Sequence, residues 1–304
     1  MNWKPSKWIA VVLSLILSPL GLIYVGRIRL AGAFFLASAA LAVAIFLGIF
    51  PRELEIIGVL LSVLLPIFCA FVTYKIAVAF PEKSTRHWLT KWYGLTLVFG
   101  SFVSVAFIVR VFFYEPFRLP SASMVPTGML HANVIVKKWG YGHFSTFGFY
   151  FGSKPHSDSI ARGDIIVFDY PPKKSLTYIA RVVGIPGDQI EVDQHRLTVN
   201  GVRVTGEKLD DFLIPSDGIY VSRYSERIGS NDYSVLINDD KRDIRPYEFE
   251  SKNLCTYVGS KVSCKVPEGR FYVLGDNRSN SEDSRFWGFV KAEEVIGKVV
   301  FISK

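Results

Sequence analysis

The chain has 304 residues, half of them hydrophobic, and a formal net charge of +8. Its apolar residues are concentrated in the first third, which excludes a single soluble domain and predicts a membrane part followed by a globular part. The positive charge forms neither a basic helix nor an alternation of basic and aromatic residues, so we expect no nucleic-acid partner. It favours contact with anionic membrane lipid instead.

Residues 1–114 are predicted to form a membrane domain with four apolar runs as transmembrane helices: Trp8–Val25, Leu30–Phe50, Leu54–Tyr74 and Trp92–Phe113. Each run reaches or approaches the roughly 20 apolar residues that a helix needs to cross a bilayer. The first run is the weakest, because Ser18, Pro19 and Gly21 interrupt it. No small-residue cleavage site follows it, so we interpret it as an anchor and not as a removed signal peptide.

The distribution of basic residues predicts how these runs are oriented. Most of them lie in the loop after the first run and in the loop between the third and fourth: Arg27, Arg29, Lys75, Lys83, Arg86 and Lys91. The loop after the second run has only Arg52, beside Glu53 and Glu55. The two basic loops are therefore expected in the cytoplasm and the globular part outside, although Lys4 and Lys7 then lie on the unfavourable side.

Residues 115–304 show the period-two alternation of antiparallel β-strands. Short runs such as "NVIVKKW", "DIIVFDY" and "YIARVVG" are rich in Val and Ile and are bounded by turn residues. Asn200-Gly201 between two such runs predicts a hairpin. We therefore predict a mainly-β domain with an antiparallel sheet core and hairpins, behind N-terminal transmembrane helices. The polar, irregular stretch 206–267 is expected to form an inserted lobe on the sheet.

Two further features of the globular part concern its cysteines and its aromatic residues. Cys255 and Cys264 flank a turn-rich loop in the part expected outside, where an oxidising environment favours a disulfide. Neither CxxC nor His-x-x-x-His occurs, so we expect no metal and no cofactor. The stretch 141–160, "YGHFSTFGFYFGSKPHSDSI", is rich in aromatic residues and glycine. It either packs on its own domain or places its rings at the membrane surface.

The segment 115–130, "EPFRLPSASMVPTGML", follows the last apolar run and contains three prolines and two serines. A plain tether would be polar and flexible, so this stiff, partly apolar segment indicates a presented side chain. A serine hydrolase needs a nucleophile, a base and donors for the oxyanion. The sequence contains neither Gly-x-Ser-x-Gly nor Ser-x-x-Lys, so a base must come from elsewhere in the chain.

Three segments, in the same order along the chain, resemble the sequence boxes of bacterial type I signal peptidases of the S26 serine protease family. They are "PSASMVPT", "YIARVVGIPGDQI" and "VLGDNRSNSEDSRFWGFV". The resemblance implies a membrane-bound serine endopeptidase that removes signal peptides from exported preproteins. It also implies a multi-pass protein of the bacterial inner membrane whose catalytic domain lies on the extracytoplasmic side.

By position, the resemblance assigns Ser123 as the nucleophile, and Ser121 together with the amide of Ser123 as the oxyanion hole. Ser281 matches the serine that orients the base, and Met124 matches a residue of the membrane-facing surface. Four charged residues match structural positions near the site, of which the last two form an ion pair: Asp276, Arg278, Asp283 and Arg285. The neighbouring prolines are expected to hold Ser123 on a rigid, extended segment.

The resemblance fails at the general base. In the family a lysine stands directly before "RVVG", and this chain has Ala180 there. Tyr178, Ala180 and Val182 are expected to share one face of a strand, so that Ala180 points into the site without a proton acceptor. Arg181 is expected to face the other way.

Three explanations of Ala180 remain open from the sequence. In the first, another residue near in sequence supplies the base, and the candidates are Lys137, Lys138, Lys173, Lys174 and His131. Alternatively, the chain is a relative that has lost catalysis and still binds extended peptides, or the alanine is a deliberate replacement. A membrane transporter is disfavoured because no apolar run carries a pair of polar residues that would form a substrate path.

Overall fold

The computed structural model describes residues 3–47, 49, 55–81, 86–215, 218–238 and 244–303. Several residues named above lie outside these ranges: Phe50, Arg52, Glu53, Leu54 and Lys83. The chain divides into two compact units, residues 1–108 and 109–304. The boundary expected from the sequence, between 114 and 115, falls just inside the second unit and stays a prediction.

Five helices lie in the N-terminal part and a short one near the C-terminus: α1 (Lys7–Ile16), α2 (Ser18–Tyr24), α3 (Ile28–Phe46), α4 (Glu55–Val78), α5 (Trp92–Phe112) and α6 (Ser284–Trp287). Within the described residues, three helices are long and apolar enough to cross a membrane, namely α3, α4 from Ile56 onward, and α5. The described residues therefore contain three such helices, and a span at the first run, Trp8–Val25, stays a prediction.

The first run is not one continuous helix, because it breaks into α1 and α2, of ten and seven residues. Leu17 between them is extended, with φ −151° and ψ 106°. Pro19 lies in the first turn of α2, where its missing N–H needs no partner. The chain then folds back, and the amide of Ser6 donates a hydrogen bond to the Tyr24 hydroxyl at 3.1 Å. These residues therefore form a helical hairpin.

The second unit consists mainly of strands: β1 (Tyr114–Arg118), β2 (Asn133–Lys137), β3 (His143–Thr146), β4 (Phe149–Ser153), β5 (Ile165–Asp169), β6 (Thr177–Gly184), β7 (Gln189–Asp193), β8 (Arg196–Val199), β9 (Val202–Arg203), β10 (Thr205–Lys208), β11 (Phe212–Ile214), β12 (Ile219–Val221), β13 (Arg223–Ile228), β14 (Asn231–Leu236), β15 (Cys255–Val258), β16 (Lys261–Lys265), β17 (Arg270–Leu274), β18 (Val290–Lys291) and β19 (Val295–Ile302). One-turn 3-10 helices lie at Trp88–Thr90, Lys252–Leu254, Arg278–Asn280 and Ala292–Glu294.

The main sheet of the second unit has the strand order β1-β2-β19-β5-β6-β17-β18, and every pairing in it is antiparallel. A second sheet has the order β15-β16-β7-β8-β9. The expected hairpin is present, because Val199 pairs with Val202 around Asn200-Gly201. Asn200 and Gly201 have φ of 50° and 79°, as this turn requires. The predicted mainly-β, antiparallel fold class is confirmed.

The stretch 206–267 contributes strands to three sheets, one of which is the two-stranded pair of β11 and β12. Strands β10, β13 and β14 form a three-stranded sheet, whereas β16 pairs with β7 and extends the second sheet. Cys255 and Cys264 lie opposite each other on β15 and β16 and form the expected disulfide, with an S–S distance of 2.07 Å. A separate inserted lobe stays a prediction.

The aromatic stretch 141–160 contains the hairpin of β3 and β4. The rings at and after its turn are exposed over half or more of their surface: Phe147 68%, Phe149 69%, Tyr150 60% and Phe151 50%. These four rings are largely exposed, and contact of the rings with the membrane surface stays a prediction. At the other end of the stretch, Tyr141 is buried.

The substitution Gly21→Ala tests the helical hairpin, because α2 lies against α1 at this residue. The added methyl group would overlap Ser14 Oγ and lie 2.5 Å from the Ala10 carbonyl oxygen. Gly21→Ala is expected to destabilise the chain by about 1–3 kcal/mol, the usual cost of overpacking. Gly32→Ala is the matched control, since a methyl group there meets no atom within 4 Å. Thermal unfolding of the full chain in detergent measures both, and equal midpoints for the two variants would contradict the close approach of α1 and α2.

Candidate active site

A cavity of about 460 Å³ in the second unit brings together all three sequence boxes. We call it the Ser123 cavity, and its lining includes Ser121, Ser123, Tyr178, Ala180, Ser281 and Glu282. The two serines come from the loop after β1, Ala180 comes from β6, and Ser281 comes from the segment between β17 and α6. The fold therefore places the expected nucleophile, base and base-orienting positions around one space.

Ser123 lies in a compact turn. The Val125 amide donates a hydrogen bond to the Ala122 carbonyl at 3.2 Å, so the prediction of an extended segment is wrong. Asn277 holds this turn from the last box. Its amide donates to the Ser123 carbonyl at 2.9 Å and its side chain donates to the Ala122 carbonyl at 3.2 Å.

The hydroxyl groups of Ser121 and Ser123 lie close together, with their oxygens 3.1 Å apart. Gly275 lies between the Ser123 turn and Ser281. A Cβ at this position would overlap Ser281 Oγ and lie 2.7 Å from the Ser123 carbonyl oxygen. Only glycine allows the backbones of the first and last boxes to approach so closely, which keeps Ser281 near Ser123.

Ala180 is buried in the strand face predicted for it. It is 4% exposed, and it shares one hydrophobic cluster with Tyr178 and Val182. Trp287 and Phe168 belong to the same cluster, so the surroundings of the base position are apolar. The expectation that these three residues of β6 share a face is confirmed.

No lysine or histidine lines the Ser123 cavity among the described residues. Three of the lysines considered as substitute bases are paired elsewhere: Lys137 Nζ with Asp158 at 2.7 Å, Lys138 Nζ with Glu115 at 2.9 Å, and Lys174 Nζ with Glu294 at 3.4 Å. Burial lowers the pKa of Lys138, and the hydrogen bond and charge of Glu115 oppose that shift. Lys173 and His131 are likewise not among the lining residues.

The charged residues of the last box form three buried ion pairs, of which two contain its aspartates Asp276 and Asp283. Asp283 and Arg285, each 1% exposed, form the expected ion pair, with Arg285 Nε 2.7 Å from Asp283 Oδ1. Asp283 Oδ2 also accepts a hydrogen bond from the Gly275 amide at 3.0 Å. Asp276 pairs with Arg181 through bonds of 2.8 and 2.6 Å. Burial alone would lower the pKa of Arg181, but the charge and hydrogen bonds of Asp276 raise it above its ordinary value.

Glu226 is a residue of the site's surroundings that sequence reasoning missed. It accepts hydrogen bonds from Arg278 Nη1 at 2.7 Å and Nη2 at 2.5 Å, and both side chains are fully buried. The two-residue period of β13 would have indicated this residue. It places the Glu226 side chain on the same buried face as Tyr224 and Ile228. An inward-facing glutamate in such a strand needs a cationic partner.

Met124 does not lie on a surface. Its side chain is fully buried and packs in a cluster with Leu119, Val134 and Ile296. The expectation of a membrane-facing position for Met124 is therefore wrong. The turn that carries Ser123 points this neighbouring side chain into the core instead.

Comparisons with known proteins agree with the resemblance of the three boxes. Residues 91–303 match the family model described as signal peptidase, peptidase S26. The signal peptidase I of Buchnera aphidicola subsp. Baizongia pistaciae is 31% identical, over 73% of this chain and 80% of the relative. That of Pseudomonas aeruginosa is 31% identical, over 75% of this chain and 79% of the relative.

A crystal structure of a signal peptidase I from Enterococcus faecalis V583 is 28% identical and covers 46% of this chain and 97% of its own. Its TM-score of 0.27 is too low to support any detail of the arrangement. The similarity to the family therefore rests on sequence.

The buried pair of Glu226 and Arg278 is open to a direct test. Glu226→Gln leaves a buried guanidinium without its counterion, which is expected to lower the free energy of unfolding by about 3–5 kcal/mol. Asp232→Asn on the adjacent strand is the matched control, since Asp232 and its partner Arg227 are 64% and 75% exposed. It is expected to leave stability nearly unchanged. Chemical denaturation of both variants measures the difference, and similar midpoints would contradict a structural role for Glu226.

Proposed function

Since the chain belongs to the signal peptidase I family of peptidase S26 proteins, we propose that it binds the signal peptides of exported preproteins in the Ser123 cavity and lacks the base for their rapid cleavage. The observation that carries this proposal is the composition of the cavity. It contains three serines and Ala180, but among the described residues no lysine or histidine lines it.

The family reaction explains why Ala180 matters. Ser123 Oγ would attack the carbonyl carbon of the scissile bond, with Ser121 Oγ and the Ser123 amide as donors to the oxyanion. The attack requires that the Ser123 proton pass to a base. Ala180 offers no acceptor atom, and the neighbouring Ser121 hydroxyl is itself a very weak base. The loss of a base in such a site typically costs several orders of magnitude in rate.

An open strand edge supports binding of an extended peptide. Thr177, Ile179 and Ala180 line the cavity, and their strand, β6, pairs with β5 on one side. On the other side β17 pairs with β6 only from Arg181 to Gly184. In the described part of the chain, the edge of residues 177–180 that faces away from β5 has no strand partner. A peptide added there would gain backbone hydrogen bonds beside Ser123.

The helical hairpin supports a revised orientation in the bacterial inner membrane. If α1 and α2 do not cross the bilayer, Lys4, Lys7 and Arg27 precede the first span, α3, and Arg29 lies in its first turn. The positive-inside rule then places all four in the cytoplasm. Three crossings leave the globular domain on the extracytoplasmic side, and the discrepancy at Lys4 and Lys7 disappears.

Cysteine labelling tests this orientation. With Cys69→Ser as background, Ser6→Cys is expected to resist a membrane-impermeant maleimide in spheroplasts and to react after permeabilisation. Ser230→Cys in the globular domain is the control and is expected to react without permeabilisation. Reaction of the residue 6 thiol in intact spheroplasts would instead mean that the first run crosses the membrane.

A cleavage assay with variants at positions 123 and 180 tests the proposed function. The unmodified chain in detergent is expected to bind a signal peptide. Its cleavage rate is expected to be at least about a thousandfold lower than that of a signal peptidase with a lysine at the position of Ala180. Ala180→Lys is expected to create cleavage, and adding Ser123→Ala is expected to abolish it. Ala161→Lys, at an exposed position, is the control for added charge.

Two results of this assay would overturn parts of the proposal. An ordinary rate for the unmodified chain would mean that another group serves as the base. Cleavage that persists after Ser123→Ala in the Ala180→Lys chain would mean that Ser123 is not the nucleophile.

A further inference from the structure

The Ser123 cavity carries a carboxylate that the family reaction does not use. Arg118 and Glu282 are the two charged residues among the described residues that line it. Arg118 Nε donates a hydrogen bond to the His131 carbonyl at 3.1 Å. Glu282 is solvent-exposed, and in the described part of the chain it has no ion pair with a lysine or arginine, so its charge is open to a cation from outside the protein.

The carboxylate is held in place by two tyrosines. Glu282 Oε1 accepts hydrogen bonds from the hydroxyl of Tyr170 at 2.5 Å and of Tyr247 at 3.1 Å. Burial raises the pKa of Tyr170, and the hydrogen bond to Glu282 raises it further, so Tyr170 remains a donor. Glu282 Oε2 has no hydrogen-bond partner among the described residues.

Aromatic faces lie next to this carboxylate. Tyr170 and Tyr178 stack with ring centres 4.1 Å apart and planes 7° from parallel, and Trp287 meets Tyr170 edge-on at 5.9 Å. Tyr178 and Trp287 both line the cavity. A fixed carboxylate beside tyrosine and tryptophan rings is a suitable environment for an ammonium or guanidinium group, through charge attraction and cation–π contact.

We propose that Glu282 makes the Ser123 cavity a binding site for a cationic side chain, the lysine or arginine of a bound peptide. This inference rests on the proposed function, because it assumes that peptides occupy this cavity. It adds the chemical class of the ligand: an extended peptide with one positive charge near the segment bound at Ser123.

The carboxylate of Glu282 also gives a reason for the alanine at position 180. A lysine at position 180 would share the cavity with Glu282, and a nearby negative charge raises the pKa of a lysine. A lysine introduced there would therefore lose its proton, and act as a base, only at a higher pH than it would without Glu282. A small, uncharged residue at 180 leaves Glu282 available to a cation that the ligand brings.

Matched peptides test the charge preference directly. A single lysine is moved through each position of a small-residue peptide, and each version is compared with the same peptide carrying norleucine. Binding is measured to the full Ser123→Ala chain in detergent. At one or more positions lysine is expected to bind about tenfold more tightly, the usual effect of one charge-assisted hydrogen bond. The lysine–norleucine comparison needs no change at Glu282.

Variants then locate the effect. Glu282→Gln is expected to reduce the lysine preference to less than about twofold, whereas Glu248→Gln is expected to leave it intact. Glu248 is 91% exposed, pairs with Lys252 at 2.6 Å and does not line the cavity, so it controls for net charge. Peptides that bind with no lysine preference at any position would overturn this inference and leave the proposed function standing. Failure of every peptide to bind would overturn both.

A pH profile gives a second, independent readout. Cleavage by Ala180→Lys is compared with cleavage by Ala180→Lys combined with Glu282→Gln. Removal of the negative charge lowers the pKa of the introduced lysine, so the rising limb of the rate is expected about one pH unit lower in the double variant. Superimposable profiles would mean that Glu282 does not act on a cation in this cavity, and would overturn the inference.

Discussion

The buried carboxylate of Asp276 is the point on which the site is built. It accepts two hydrogen bonds from Arg181 of β6 and one from Thr127 Oγ1, at 2.5 Å, of the segment that carries Ser123. Asp276 is fully buried and belongs to the last box, so one side chain ties together all three parts of the sequence that form the cavity. Because an unpaired charge at this depth is strongly unfavourable, the three segments are held in a single arrangement.

The framework of the site and its proton chemistry are separate properties in this chain. Arg181, Asp276, Asp283 and Arg285 keep the pairings of an assembled site, although the adjacent position 180 carries no base. These charges stabilise the fold whether or not a proton is transferred. The cavity therefore forms around Ala180, and the ion pairs that hold it together do not depend on a lysine at that position.

Structural features that depend only on neighbouring residues were predicted correctly from the sequence. The Asn200-Gly201 turn and the strand face of Ala180 follow from φ preferences and from the two-residue period of a strand. The break near Pro19 was not predicted correctly, because the length of an apolar run does not reveal whether its helix folds back. Glu226 and Glu282 were missed because their partners lie far away in sequence: Arg278 for the first, Tyr170 and Tyr247 for the second. The sequence around each of these two glutamates does not identify the residue that its carboxylate contacts.

The exposed aromatic hairpin of β3 and β4 adds nonpolar surface to that of the three long apolar helices once this protein is extracted. Phe147, Phe149 and Phe151 together present a nonpolar patch that water solvates poorly. In dilute buffer such patches adhere to one another, and the particles grow as concentration rises. Surfactant or a lipid nanodisc covers the rings and keeps the particles dispersed. Preparations freed of amphiphile will consequently scatter light and elute early from a sizing column, even when every residue of the cavity is correctly placed.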